Sequence, residues 1–116
     1  MEIFNKKITK SEIIASPTDE ILTGVITNIE KGVLKEFLNE GVQSKFDNLD
    51  QETLKIYFEC KFEDKIIKGS DRLAYYEKPM SNSKLGKFLI KYDELNVGRE
   101  IKVVFDKNSF GKIKVD

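Results

Sequence analysis

The sequence predicts an all-β domain with one helix, in the order strand, strand, strand, helix, strand, strand. Apolar and polar side chains alternate strictly over residues 54–62, as on a strand with one buried face. Over residues 85–92 apolar side chains recur at helical spacing. A chain of 116 residues can bury a single hydrophobic core, so one domain is expected.

The first strand is predicted in the Ile- and Val-rich segment 21–34, where Gly24 indicates a bend or strong coiling. Residues 36–53 then form a long connection to the next strand. Four of its side chains, Phe37, Leu38, Val42 and Phe46, are too apolar for a free linker. We expect this connection to extend the strand or to pack over the core.

The next two strands are predicted to form a hairpin. In the first, Leu54, Ile56, Phe58, Cys60 and Phe62 share one face. Residues 63–65 provide a tight turn. Residues 66–77 return as a second strand, in which the isolated Gly69 predicts a bulge or bend.

The helix is predicted to follow a polar cap at residues 81–83, since serine and asparagine are good N-cap residues. Its apolar stripe consists of Leu85, Phe88, Leu89 and Tyr92, at i, i+3, i+4 and i+7. The helix should end within residues 93–96.

Two strands complete the fold. The first has Ile101, Val103 and Phe105 on one face, and the second has Ile113 and Val115 inward, after a turn at 106–109.

This order resembles the oligonucleotide/oligosaccharide-binding (OB) fold, a five-stranded Greek-key barrel with its helix between strands three and four. The resemblance runs from Leu22 to Val115. The pattern SKLGKFL, L.VG..IKV.FD and GKI is similar to small archaeal and phage single-strand-binding-like proteins. It implies an OB-like barrel at residues 21–116, preceded by an N-terminal extension at 1–20.

The composition predicts an intracellular, cytoplasmic protein. The single cysteine excludes an internal disulfide, and residues 1–20 lack the apolar run of a signal peptide. No apolar stretch reaches the eighteen residues that suggest a membrane span, so no membrane partner is expected.

Catalysis and metal binding are poorly supported. The chain has no histidine, and Cys60 falls on the apolar face of its strand, where an inert thiol is expected. Asp47, Asp50 and Glu52 could offer oxygen ligands to a hard cation, but they lack the spacing of a calcium loop. We therefore expect no enzyme, no cofactor and no metal site, and a polar turn at 47–52.

The charges are balanced overall, at 20 basic and 20 acidic residues, but they are unevenly placed. Residues 65–91 hold seven basic against two acidic side chains, whereas residues 1–53 hold six lysines against ten carboxylates. A face that meets an anion should therefore be built from the second half of the chain.

OB domains that bind single strands use aromatic side chains and cations on the outer face of strands two and three. In this chain that face predicts binding of single-stranded DNA or RNA with weak specificity. Acidic neighbours, Glu59, Glu63, Asp71 and Glu77, would oppose phosphates. Adjacent tyrosines at 75 and 76 should point to opposite sides. The candidate residues are Lys55, Tyr57, Lys61, Lys68, Arg72, Tyr75, Tyr76 and Lys78.

A protein-interaction module within a larger assembly is the alternative, and the zero net charge favours it. Its contact surface would be the apolar side chains of the long connection. A homodimer through an open edge strand is a further possibility.

Overall fold

A computed structural model of the protein describes residues 20–105 and 111–116. Five antiparallel strands form one sheet in the order β3-β2-β1-β4-β5, which curls into a nearly closed barrel. The predicted fold class is confirmed, and the barrel is compatible with an OB-like fold. The strands are β1 (Ile21–Val33), β2 (Glu52–Phe62), β3 (Lys65–Ala74), β4 (Glu100–Val104) and β5 (Lys112–Ile113).

The first strand belongs to both halves of the barrel. β1 pairs with β4 from Ile21 to Val25 and with β2 from Gly24 to Val33. A Cβ atom on Gly24 would lie 2.8 Å from the Cys60 sulfur, so the glycine permits the close approach of β1 and β2. The register shifts between Ile26 and Asn28, which makes the residue between them a bulge.

The β2–β3 hairpin is regular along its whole length. Ten consecutive residue pairs join the strands, and Glu63 takes a positive φ of 53° in the turn. The bulge predicted at Gly69 is wrong, because the register does not shift there. Gly69 lies directly across from Phe58, a core residue. The glycine therefore places a small residue beside a large ring instead of interrupting the strand.

The connection from β1 to β2 contains a 3-10 turn (Leu34–Phe37) and a short helix, α1 (Glu40–Gln43). The Leu34 side chain is buried, and those of Phe37 and Leu38 are half-buried. Backbone hydrogen bonds from Leu34 to Gln51 and from Lys35 to Leu49 hold the two ends of the connection together. The connection thus folds against the barrel, as its composition predicts.

The principal helix, α2 (Lys84–Tyr92), follows β3. The Ser83 hydroxyl accepts a hydrogen bond from the Gly86 amide at 3.0 Å, which identifies Ser83 as the N-cap. Leu85 and Phe88 are buried, and Leu89 and Tyr92 pack against the core. The predicted apolar stripe is confirmed.

One carboxylate spans the seam between the two outer strands of the sheet. Asp71 on β3 accepts a hydrogen bond from the Ile113 amide of β5 at 2.9 Å. The same carboxylate pairs with the Lys84 ammonium of α2 at 2.6 Å. Its side chain is only 14% exposed. In the described residues, the Asp71 side chain therefore links the two edge strands, β3 and β5, at a position where backbone hydrogen bonds would close a complete barrel.

Within the described ranges, no helix is long and apolar enough to cross a membrane. The predicted extension, apart from Glu20, and the turn at 106–109 lie outside the described residues.

Candidate nucleic-acid interface

The outer face of β2 and β3 follows from the alternation of the two strands. Leu54, Ile56, Phe58 and Cys60 are buried, so the intervening side chains of β2 point outward. The register then sets the cross-strand neighbours on this face. These pairs are Lys55 with Arg72, Tyr57 with Ser70, Glu59 with Lys68 and Lys61 with Ile66.

The bulge in β1 adds a third strand to this face. After the register shift, Asn28 lies opposite Tyr57 and Glu30 lies opposite Lys55. The Tyr57 hydroxyl donates a 2.7 Å hydrogen bond to a Glu30 carboxylate oxygen, and the Lys55 ammonium lies 5.1 Å from the tyrosine ring centre. The hydrogen bond to Glu30 raises the pKa of Tyr57 above its ordinary value of 10.0, and burial and the Glu30 charge act in the same direction.

A cleft of about 360 Å³ lies where the β1–β2 connection faces β2, β3 and β5. We call it the cationic cleft and define it by Phe37, Leu38, Lys55, Arg72 and Lys112, which line it. Three cations thus share one depression with an aromatic ring. Such a combination suits a single strand, whose bases stack on rings and whose phosphates attract cations.

The centre of the face holds a smaller depression of about 270 Å³, lined by Tyr57, Lys68, Asn28 and Glu59 among others. Of the eight predicted site residues, Lys55 and Arg72 line the cationic cleft and Tyr57 and Lys68 line this central depression. The structure therefore places half of the predicted set in these two depressions of the outer face.

The other four predicted residues line neither of these two depressions. Tyr75 packs against the core, with the Lys31 ammonium 4.0 Å from its ring centre. Tyr76 is 44% exposed, and both it and Lys78 follow the end of β3. Lys61 lines a different groove, at the hairpin end of the sheet. We call this the aliphatic groove and define it by Ile21, Val25, Glu59, Lys61 and Ile66.

The four acidic side chains that the sequence places near this face repel phosphates there less than the sequence suggests. Asp71 lines the cationic cleft, but its carboxylate is occupied by Lys84 and by the amide of Ile113. Glu63 lies in the hairpin turn and Glu77 beyond the end of β3, and both are exposed. Glu59 stays on the face, half-buried and directly opposite Lys68.

Phe37 and Lys112 are cleft residues outside the predicted set. Phe37 belongs to the connection, where its apolar character suggested a protein contact. Lys112 belongs to the two-residue strand β5. The sequence signal for Phe37 is an aromatic residue in a connection that is too apolar for a free linker. Which residues surround Phe37 depends on how the barrel closes, and no local pattern indicates that.

Cys60 is 1% exposed, and burial raises the pKa of its thiol to about 11. A buried, protonated thiol is a poor nucleophile, which matches the inert role predicted for it. In the part of the chain that the structure describes, no three His, Cys, Asp or Glu residues form a group suited to a metal ion.

Comparison of the chain with protein-family models, curated proteins and solved structures finds no match. The candidate interface is therefore defined by the geometry of this barrel.

Proposed function

We propose that this protein binds single-stranded DNA or RNA, with weak sequence specificity, through the cationic cleft and the adjoining outer face of β2 and β3. The convergence of Lys55, Arg72 and Lys112 with the Phe37 ring in one cleft carries the proposal. In this assignment the cations neutralise phosphates and the ring stacks on a base.

The charge balance limits the strength of this binding. The whole chain has no net charge, so attraction to a polyanion has to arise from local groups. Three phosphate contacts give a slope of about −2 in a plot of log affinity against log salt for a single strand. Affinity should therefore fall about fifteenfold between about 50 and 200 mM salt.

The proposal is tested by fluorescence anisotropy with labelled single-stranded DNA, single-stranded RNA and duplex DNA of equal length. The parent chain should bind single strands in preference to the duplex. The double variant Lys55→Ala/Arg72→Ala should lose at least tenfold in affinity, on the order of 1 kcal/mol for each phosphate contact, and its salt slope should fall to about −0.7.

A matched control removes the same charge from outside the two depressions. Lys87→Ala/Lys91→Ala deletes two exposed lysines of α2, neither of which lines the cationic cleft or the central depression. This variant should keep the affinity of the parent within about twofold. Equal losses in both double variants would mean that binding follows net charge alone. That result, or no binding at tens of micromolar protein in low salt, would refute the proposal.

A further inference from the structure

The central depression of the outer face contains hydrogen-bonding side chains that have no partner within the barrel. Glu59 is half-buried there, and Asn28 and Lys68 are exposed beside it. Glu59 lies directly opposite Lys68 on the ladder, yet the two form no ion pair. Among the described residues, the Glu59 carboxylate and the Asn28 side-chain amide also accept and donate no hydrogen bond. These groups are therefore available to a ligand.

The Tyr57 ring lines the same depression and is held in one orientation. Its hydroxyl donates the 2.7 Å hydrogen bond to Glu30, which fixes the far end of the ring. The depression lies on the Glu59 side of the ring, because Glu59 lines it and Lys55 does not. Its volume of about 270 Å³ is just below the range of about 300–1,000 Å³ that is typical of sites for drug-sized ligands. One base, stacked on the ring, suits a depression of this size.

A carboxylate beside an ammonium distinguishes the bases by their donors and acceptors. The Watson–Crick edge of guanine has two neighbouring donors, N1–H and N2–H, next to the O6 acceptor. The two oxygens of Glu59 can accept from both donors, while the Lys68 ammonium donates to O6. Adenine and cytosine offer the carboxylate a single amino group. Thymine and uracil offer one ring N–H between two carbonyl oxygens, which a carboxylate repels.

We propose that the central depression is a base-reading subsite that selects guanine, with Glu59 as the specificity-determining residue and Lys68 as the donor to O6. This assignment rests on the proposed function and makes a single base position the source of its weak specificity. Glu59 follows Lys55 by four residues of extended strand, about 13 Å. One nucleic-acid strand can therefore place phosphates in the cationic cleft and a base in the central depression.

The test measures fluorescence anisotropy with labelled oligothymidine strands of equal length that differ in one central base. The central base is guanine, hypoxanthine, adenine, cytosine or thymine, and a single guanine per strand prevents association between guanines. The parent chain should bind the guanine strand about tenfold more tightly than the adenine or thymine strand. Hypoxanthine lacks only the N2 amino group of guanine, so its strand should lose most of this preference.

Glu59→Gln tests the carboxylate with little change of shape, since it replaces one acceptor oxygen by an amide donor. The ratio of guanine to adenine affinity should fall to within about twofold of one. If Glu59 only repelled phosphates, this variant would strengthen the binding of every strand by the same factor and keep the ratio of the parent. Glu63→Gln is the matched control, because it removes the same charge from the hairpin turn, outside the central depression. It should also keep the ratio of the parent.

The possible failures are distinguishable. Equal affinities for the guanine and adenine strands in the parent chain would overturn the guanine subsite and leave the proposed nucleic-acid binding intact. A guanine preference that persists in Glu59→Gln would assign base reading to another side chain and would also overturn the subsite. Absence of binding to any of the strands would refute the proposed function, and the subsite with it.

Discussion

The cationic cleft and the aliphatic groove occupy opposite ends of one outer surface and differ in where their side chains come from. In the cleft, strands provide Lys55, Arg72 and Lys112, while the β1–β2 connection brings Phe37 and Leu38. In the groove, strands provide every defining residue. Strand alternation thus decides which side chains face outward, and the connection decides what one end of the surface can bind.

The change between the two ends takes place over a short distance. Lys55 and Arg72 form one cross-strand pair, and six pairs further along the ladder Lys61 lies opposite Ile66. Both regions therefore share a single rigid hairpin, which lets a variant in one region be read against a matched variant in the other.

The largest effect is expected at Asp71, which links the cleft end of the barrel to β5 and α2. Asp71→Ala removes three charge-assisted hydrogen bonds, from the Lys84 ammonium and from the Ile113 and Arg72 amides, at a side chain that is 14% exposed. It also leaves the Ile113 amide and the Lys84 ammonium without this acceptor. The free energy of unfolding should fall by about 2 kcal/mol, measured by urea denaturation.

Glu52→Ala is the control for this variant. Glu52 also pairs with a lysine, Lys31, at 3.7 Å, but the side chains are 60% and 53% exposed. Water and salt screen such a pair, so the loss should stay below about 0.5 kcal/mol. Similar losses for both variants would mean that the Asp71 carboxylate does not stabilise the seam.

A second pair of variants compares the two regions directly. Phe37→Ala removes the ring from the cationic cleft, and Ile66→Ala removes an aliphatic side chain from the aliphatic groove. Loss of one stacked base should lower the affinity for single-stranded DNA about tenfold in Phe37→Ala. Ile66→Ala should leave that affinity unchanged, as measured by anisotropy.

The reverse result would assign nucleic-acid binding to a different part of the outer face. If Ile66→Ala weakened binding and Phe37→Ala did not, single strands would follow the hairpin end of the face. Circular dichroism of both variants would establish that the barrel is folded in each case.

The smallest effect is expected at Tyr57, between the two regions. Glu30→Gln removes the carboxylate that holds the Tyr57 hydroxyl, so the pKa of Tyr57 should fall back toward 10.0. Ultraviolet titration of tyrosinate, with the Tyr57→Phe curve subtracted, isolates this group among the four tyrosines. Glu63→Gln, in the hairpin turn, should leave the Tyr57 titration unchanged.

The raised pKa of Tyr57 also fixes the direction in which the free energy of unfolding changes with pH. A pKa raised in the folded state means that folding favours the protonated phenol. The stabilisation is complete below the unfolded value of about 10.0 and is lost as pH rises through the folded value. Denaturation curves of the parent should therefore lose stability over this alkaline range more steeply than those of Tyr57→Phe.

The sequence predicts most of the fold because its elements carry local signals. The period-two run of β2 and the apolar stripe of α2 depend on neighbours within one element, and both are confirmed. The bulge predicted at Gly69 is wrong because Gly69 pairs in register with Phe58, a partner eleven residues away that no local pattern identifies. The register shift in β1 lies between Ile26 and Asn28, beyond Gly24, where the sequence predicts the bend.

The candidate site was less accessible to sequence reasoning. Alternation places Lys55, Tyr57, Lys68 and Arg72 on the outer face, and the structure has them there. The neighbours of Phe37 and Lys112 depend on how the barrel closes, which no local pattern encodes. Asp71 counted as a repulsive surface charge in the sequence, whereas its neighbours Lys84 and Ile113 lie 13 and 42 residues away along the chain.

The link through Asp71 also determines which strand of the barrel we expect to unfold locally first. Ten residue pairs hold β3 to β2, whereas in the described residues β5 has two pairs with β4, one hydrogen bond to the Asp71 carboxylate and, just after the strand, a backbone hydrogen bond from Lys114 to Lys102. A long ladder opens only when many bonds break together, but a single side chain can turn away by changing rotamer. Local opening therefore starts at β5, and the amide protons of Lys112 and Ile113 exchange with solvent before those at the centre of the hairpin.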